Sequence, residues 1–349
     1  MVSNMNDREL NARENSVLEA IVLEFVRSAR PIGSRQIAKK YGLDVSPATI
    51  RNTMADLEDL GYLGHPHTSA GRLPTDKGYR YYVDFQMQFS QLSPEEKQMI
   101  ALHLDPNAGD IEEILRRTSQ VLGQLSEEFG IVLTPKFYRG VLEKLEFVEL
   151  ASDKLLVVIN IKSGIVKTVI MEVHHRIPSA RLSDIASLLN ERLAGLTLRE
   201  VKRTIDQRFK DVNVQDEGLV QMIIENADTV FNFADRITIH TSGAQNIIRQ
   251  PEMQDPAKLS HFMEIMEKGE LLTQLFERIN GEDDLFIAIG SENDFTEIND
   301  YSIIASTYRY GSVNGTMAIM GPTRMQYDKM ISLVRMTSQI ISERLSDTL

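Results

Sequence analysis

The 349-residue chain contains no cysteine. That excludes a disulfide framework, thiolate zinc sites and a cysteine nucleophile, and it fits a reducing cytoplasm. No apolar run approaches the ~18 residues of a membrane-spanning helix, and the first residues, MVSNMNDREL, lack the apolar centre of a signal peptide. No Gly-Lys-Ser/Thr loop leads from a strand into a helix, so Gly311 and Gly315, and the run Gly321-Pro322-Thr323-Arg324, read as turns and not as a phosphate cradle. His174 and His175 are adjacent on a strand-like run, where neighbours point to opposite faces and rarely share a metal. The pairs Glu95-Glu96, Glu112-Glu113, Glu127-Glu128 and Asp283-Asp284 read as solvated faces or helix caps. No Ser/His/Asp set assembles without invented geometry. The reading is therefore no enzyme, no cofactor and no metal.

What is present is ample core material, 42% hydrophobic residues, in a length that suits about two to three domains. The net charge of −12 is uneven. Residues 1–89 hold 11 Lys and Arg against 11 Asp and Glu, so the acidity lies entirely beyond them. Within residues 27–80 the count is 9 basic against 5 acidic. A locally basic module on an acidic body is compatible with DNA binding, and the body's charge should weaken non-specific attachment.

The most informative stretch is 43–82, LDVSPATIRNTMADLEDLGYLGHPHTSAGRLPTDKGYRYY. Ser46 is a helix N-cap and Pro47 takes the first helical position, where its missing N–H costs nothing. The helix runs to about Leu60 and stops at Gly61. Ile50, Met54 and Leu57 form its buried stripe. Ala48, Thr49, Asn52 and Ala55 fall opposite, with Arg51 on the flank. The outward face is small, polar and basic at its N-terminal end and turns acidic only at Asp56, Glu58 and Asp59. A helix entering the major groove needs this arrangement. Two short extended pieces, Tyr62–Pro66 and Arg72–Pro74, flank a turn and predict a wing with Arg72 near its tip. His65 and His67 at the wing either contact the sugar-phosphate backbone or face solvent. Upstream, a helix over 8–28 and a short helix to Tyr41, capped by Ser34 after Pro31-Ile32-Gly33, complete a winged helix-turn-helix.

A helix over 76–89 follows. Lys77 and Arg80 on it are candidate phosphate contacts, whereas its tyrosines read as packing that joins domain to body. Residues 90–107 read as a linker. A strongly amphipathic helix spans 108–129. Strands are expected at 147–151, 155–161 and 165–173, with a hairpin at Ser163-Gly164. Helices over 181–194, 198–209 and 217–233 come next, then a strand at 236–240 and helices near 256–268 and 270–279. Strands at 285–290, 303–308 and 316–320 precede a last helix over 325–346. The fold class is α+β multidomain: a winged-helix head, then an α/β sheet domain carrying an inserted, mainly helical subdomain.

Several runs resemble the HrcA family of bacterial heat-inducible transcription repressors. They are Pro31-Ile32-Gly33-Ser34, Ser46-Pro47-Ala48-Thr49-Ile50-Arg51-Asn52, Leu57–Leu63, the long wing segment Pro66–Asp84 and Gly321-Pro322-Thr323-Arg324-Met325-x-Tyr327. The resemblance implies a winged-helix domain at 1–89, a GAF-like domain at 108–174 and 236–349, and an inserted dimerisation subdomain at 175–235. It also implies a cytoplasmic homodimer that binds an inverted-repeat double-stranded DNA operator, the CIRCE element, upstream of chaperone genes. The GroEL chaperonin would keep it active, and no membrane is involved. Carried onto this sequence, the reading residues are Ser46, Ala48, Thr49, Arg51 and Asn52, with Arg72 on the wing. Gly33 and Ser34 would set a helix N-terminus at a phosphate. A second reading, by fold analogy alone, is a small-molecule sensor whose GAF-like pocket controls the head.

The 15 methionines and the large insertion suggest a body of modest stability. Loss of operator binding on warming is expected to coincide with melting of the body. Calorimetry that finds the body intact where binding is already lost would overturn this.

Overall fold

The computed structural model describes residues 10–65, 71–104, 111–162, 164–173, 176–211, 218–231, 238–267, 269–278 and 284–346. The head begins with helix α1 (Ala12–Ser28). The Asn11 side chain accepts from the Arg13 and Glu14 amides, and Glu14 reaches back to the Asn11 amide, a capping box that starts the helix four residues later than expected. Helices α2 (Ser34–Tyr41) and α3 (Pro47–Asp59) follow. Gly42 ends α2 in the left-handed region, as Gly61 does beyond α3. The wing pairs β1 (Leu63–Gly64) with β2 (Leu73–Pro74), and Arg72 makes a further bridge to Ile32. The expected turn at its tip falls on residues 66–70, outside the described residues. Helix α4 (Asp76–Tyr81) is capped by Thr75 and continues as a π-helical turn, Tyr82–Gln86, so it ends three residues short of the expected 89.

The stretch read as a linker carries a helix. Ser93 and Glu96 form a capping box, Pro94 takes the first position, and α5 (Pro94–His103) buries Ile100. Helix α6 (Ile111–Ser126) leads into β3 (Phe129–Leu133), a strand hidden from sequence reading behind the helical pattern. β4 (Leu142–Ala151), β5 (Lys154–Ile161) and β6 (Ile165–Glu172) form an antiparallel meander of their own. Helices α7 (Ser179–Leu193), α8 (Leu198–Arg208), α9 (Gly218–Glu225) and α10 (Ala227–Val230) pack onto it. The chain returns through β7 (Ile239–Ser242), α11 (Ala244–Ile248), α12 (Pro256–Glu267) and α13 (Gly269–Arg278). β8 (Phe286–Ile289), β9 (Tyr301–Tyr310), β10 (Val313–Pro322) and α14 (Tyr327–Ser346) complete it.

The main sheet is antiparallel, in the order β7-β3-β10-β9-β8. Alternation splits its residues between two cores. Val132, Ile304, Met317 and Ile319 face α6, α14 and the head in one continuous cluster. Ile131, Ile303, Ala318 and Met320 face Ile247, Phe262, Leu272 and Phe276 of α11–α13. A third core joins β4–β6 to α7–α10, with Val313 from the β9–β10 turn. The insertion therefore starts near residue 141 and not at 175. The three expected strands belong to it, because each pairs only within its own meander. Gly311 turns the β9–β10 hairpin at positive φ, whereas Gly315 lies inside β10, where a Cβ would overlap the Tyr308 ring.

One carboxyl in this frame is anomalous. Glu128 is buried beside Gly321 and Arg324, and its Oε2 has no hydrogen-bond partner. Burial pushes its pKa up to about 8, against the pull of Arg324. An acid raised in the folded state favours folding below its ordinary value near 4.5, and that contribution is lost as pH rises through about 8. Glu128→Gln should therefore stabilise the protein more as pH increases, by a few kcal/mol near pH 9 at ~1.4 kcal/mol per pKa unit. Denaturant melts at pH 5 and pH 9 check this; an equal gain at both would refute it.

Candidate DNA interface

A buried carboxylate fixes the first two helices of the head. Glu24 on α1 accepts from Gln36 Nε2 at 2.9 Å and Tyr41 Oη at 3.3 Å, and pairs with Lys40. The Lys40 bond, acting against burial, holds its pKa below the usual carboxylate value. Helix α2 is thus locked across α1 with its N-terminus outward. Gly33 is its N-cap and offers no side-chain cap, so Ser34 is the first helical residue and not the cap. A helix start without a side-chain acceptor suits an incoming phosphate oxygen.

Helix α3 is positioned by the opposite device. Ser46 Oγ accepts from the Thr49 amide at 3.1 Å and lies 2.9 Å from Thr49 Oγ1. Ile50, Thr53, Met54 and Leu57 are buried, and Thr53 donates its hydroxyl to the Thr49 carbonyl. Ser46, Ala48, Arg51, Asn52 and Ala55 are exposed, and Thr49 is half-buried. The structure thus brings Ser46, Ala48, Arg51 and Asn52 onto one outward face, while the Ser46 and Thr49 hydroxyls already engage each other. The helix closes in a Schellman arrangement: Tyr62 N–H donates to Leu57 O and Gly61 N–H to Glu58 O, both at 2.9 Å.

The other candidates lie elsewhere. Arg72 lies on the turn side of the paired wing residues, one position beyond Leu73, but is held back against the helices. Its backbone exchanges two hydrogen bonds with Ile32, and its Nε is 2.6 Å from Glu58 Oε2. Glu58 also pairs with His65. Burial opposes ionisation of Glu58, but His65 and Arg72 outweigh it and lower its pKa. This carboxylate, read from sequence only as an acidic tail on α3, anchors the wing to the recognition helix. Lys77 is exposed and donates to Leu60 O at 3.2 Å, with its ammonium 4.6 Å from the Tyr62 ring centre. Arg80 turns to the body: Nε donates to Glu292 Oε1 at 2.8 Å, one terminal nitrogen to Ile287 O at 2.9 Å, and the other meets Asp84 at 3.2 Å. A phosphate would have to displace all three, so Arg80 leaves the candidate interface. The expected packing role of the tyrosines holds: Tyr79 is buried with its ring 5.8 Å from that of Tyr327.

Among the described residues no group of three or more His, Asp or Glu side chains is arranged to hold a metal ion, and no helix is long and apolar enough to cross a membrane. His174 and His175 lie outside the described residues. A cavity between the sheet and the insertion, bordered by Lys136, Arg139, Thr307 and Asn314, encloses about 80 Å³. Metabolite pockets run to about 300–1,000 Å³, so this one does not favour the sensor reading.

Fold and surface together define a winged-helix, DNA-binding transcription regulator. Comparison with known proteins is specific. A family model described as the winged helix-turn-helix transcription repressor HrcA DNA-binding domain matches residues 9–87, and the HrcA protein C-terminal domain matches residues 112–331. The chain is 38% identical to the heat-inducible transcription repressor HrcA of Chlorobium chlorochromatii, covering 98% of this chain and 99% of that one. It is 41% identical to the repressor of the same name from Chlorobaculum parvum, covering 97% and 98%. A crystal structure described as a hypothetical protein shares the fold, with TM-score 0.60 at 22% identity over 98% of this chain and all of that one. The chain belongs to the HrcA family of heat-inducible transcription repressors, a non-enzymatic role.

The N-cap makes a stability prediction. Ser46→Ala should cost about 1 kcal/mol, the usual loss for a capping hydroxyl. Denaturant unfolding of the head's helical signal measures it, and an unchanged midpoint would remove Ser46 as a structural cap.

Proposed function

We propose that the chain represses chaperone operons as a homodimer on an inverted-repeat, CIRCE-type operator. The GroEL chaperonin sustains its activity, and heat stress abolishes it. The observation that carries the DNA-reading part is the exposed N-terminal face of α3, where Ala48, Arg51 and Asn52 lie together and the acidic residues are set back toward its other end. Arg51 and Asn52 supply the donors that read guanine and adenine edges, and Ala48 leaves room for close approach. The α2 N-terminus at Gly33 and Ser34 meets a backbone phosphate, with Lys77 as a further phosphate contact beyond α3. Arg72 acts by setting the wing.

Two-fold symmetry matches an inverted repeat, since each recognition helix takes one half-site. A surface on the insertion supports a second copy. Val148, Leu156 and Ile170 are cross-strand neighbours on the outer side of β4–β6, and Val148, Leu150, Val166 and Ile170 are 47–62% exposed. Contiguous apolar sheet of this kind marks association surfaces. The chaperonin dependence is supported by family membership alone.

Fluorescence anisotropy on a palindromic CIRCE-type duplex and a scrambled duplex, over a salt series, tests the proposal. Preference for the palindrome at two chains per duplex is expected. Equal, salt-sensitive binding to both, unchanged by added chaperonin, would reject it. Arg51→Ala should weaken operator binding by about 1–3 kcal/mol per head with the fold intact, the cost of one good base contact. Undiminished affinity would remove Arg51 as a reader.

A further inference from the structure

Helix α4 touches the recognition helix on one side and the body on the other. On the head side, Thr75 Oγ1 donates to Gly61 O at 2.7 Å and Lys77 to Leu60 O. Gly78 lies so close to the Tyr62 carbonyl that a Cβ would overlap it. On the body side, Asp76 accepts from the Ser291 amide at 2.9 Å and its hydroxyl at 2.8 Å. Four residues on, one helical turn along the same face, Arg80 grips Glu292 through two nitrogens. Glu292 is itself held by the Ile289 amide at 2.9 Å. The gripped loop, 290–292, directly follows β8. Gly290 has φ +54°, and a side chain there would strike the Asp76 carboxylate. A second tie lies across the junction, where Arg324 donates to Val26 O at 2.9 Å and to Glu252 Oε1 at 2.8 Å.

We propose that the Asp76–Ser291 and Arg80–Glu292 contacts are positioning contacts that fix each recognition helix relative to the body, and so set the half-site spacing the protein accepts. This rests on the dimeric operator reading. Neither pair needs to touch DNA. A head held by two polar grips on one helix face, over a shared apolar core, cannot follow a displaced half-site. A loosened head can. Two extra base pairs between half-sites rotate one of them by roughly 70° and move it by about 7 Å.

The test uses the full chain and three duplexes: a single half-site, the inverted repeat, and the inverted repeat lengthened by two base pairs. For the natural sequence, lengthening should weaken binding at least ~10-fold, because the second head no longer engages. Glu292→Ala should bind the single half-site within about 2-fold of the natural protein, bind the native repeat more weakly, and lose less than about 3-fold on lengthening. Glu292→Gln keeps the shape and withdraws the charge; it should shift the same way and carries the test if the alanine variant does not fold by circular dichroism. A merely structural defect would weaken all three duplexes together, and that result, like an unaltered spacing preference, would overturn the proposal. Failure of the natural protein to prefer the repeat over a scrambled duplex would instead count against the operator reading.

Discussion

Helix α4 lies where it does because residue 78 has no side chain. Any Cβ there would meet the Tyr62 carbonyl, and the helix would be pushed off the end of α3. With glycine in place, Thr75 caps α4 and also bonds Gly61, the residue that terminates the recognition helix. The next turn presents Tyr79 to Tyr327 and Arg80 to Glu292. The head is therefore continuous with one face of the main sheet: Leu18, Ile50 and Tyr79 belong to the same apolar cluster as Ile304, Met317 and Val334. Burial of that size makes the junction part of the fold and not a tether.

The charge distribution suits this attachment. A head with equal numbers of acids and bases has little long-range pull on DNA, and the body behind it is strongly acidic. Non-specific affinity, which scales with neutralised phosphates, is correspondingly low. Under the proposed dimeric reading, binding would then depend on a few directed donors around Gly33, Arg51 and Asn52, and on both heads engaging together. Placement of the heads matters more in such a protein than in one with a broad basic surface.

The head was legible from sequence because its elements are bounded by local signals. Ser46-Pro47, Gly42 and Gly61 act within a few residues, and the structure keeps each in the expected role. Ile50, Met54 and Leu57 are buried as their spacing required. Long-range features were not legible. Arg80 and Arg72 are cations in either reading, and nothing local shows that Glu292, 212 residues away, and Glu58 claim them. Strands β4–β6 were recognisable as strands, but strand character does not name a partner, so they were assigned to the wrong sheet. β3 was missed because FGIVL is apolar throughout. A strand buried on both faces lacks alternation and runs on from the stripe of α6.

The same sheet that holds the heads also holds the insertion. The β9–β10 hairpin extends beyond its neighbours and places Val313 in the insertion's core, while Ser312 donates to Lys162 O at 2.8 Å and Asn314 accepts from the Lys136 amide at 3.0 Å. β9 pairs along its other edge with β8, and β8 runs into the loop that Asp76 and Arg80 grip. Paired strands resist shear, since sliding one residue would exchange the two apolar faces, so the hairpin tip and the gripped loop cannot shift independently. An orientation imposed on the insertion by a second copy would therefore reach α4 through two hydrogen-bonded strands. Melting the insertion's core would break that linkage without touching α3, whereas melting the sheet would also strip the cluster that Ile50 shares with Ile304 and Met317. On the proposed dimeric reading, heat would therefore act first through the insertion, whose core is separate from the cluster that supports α3.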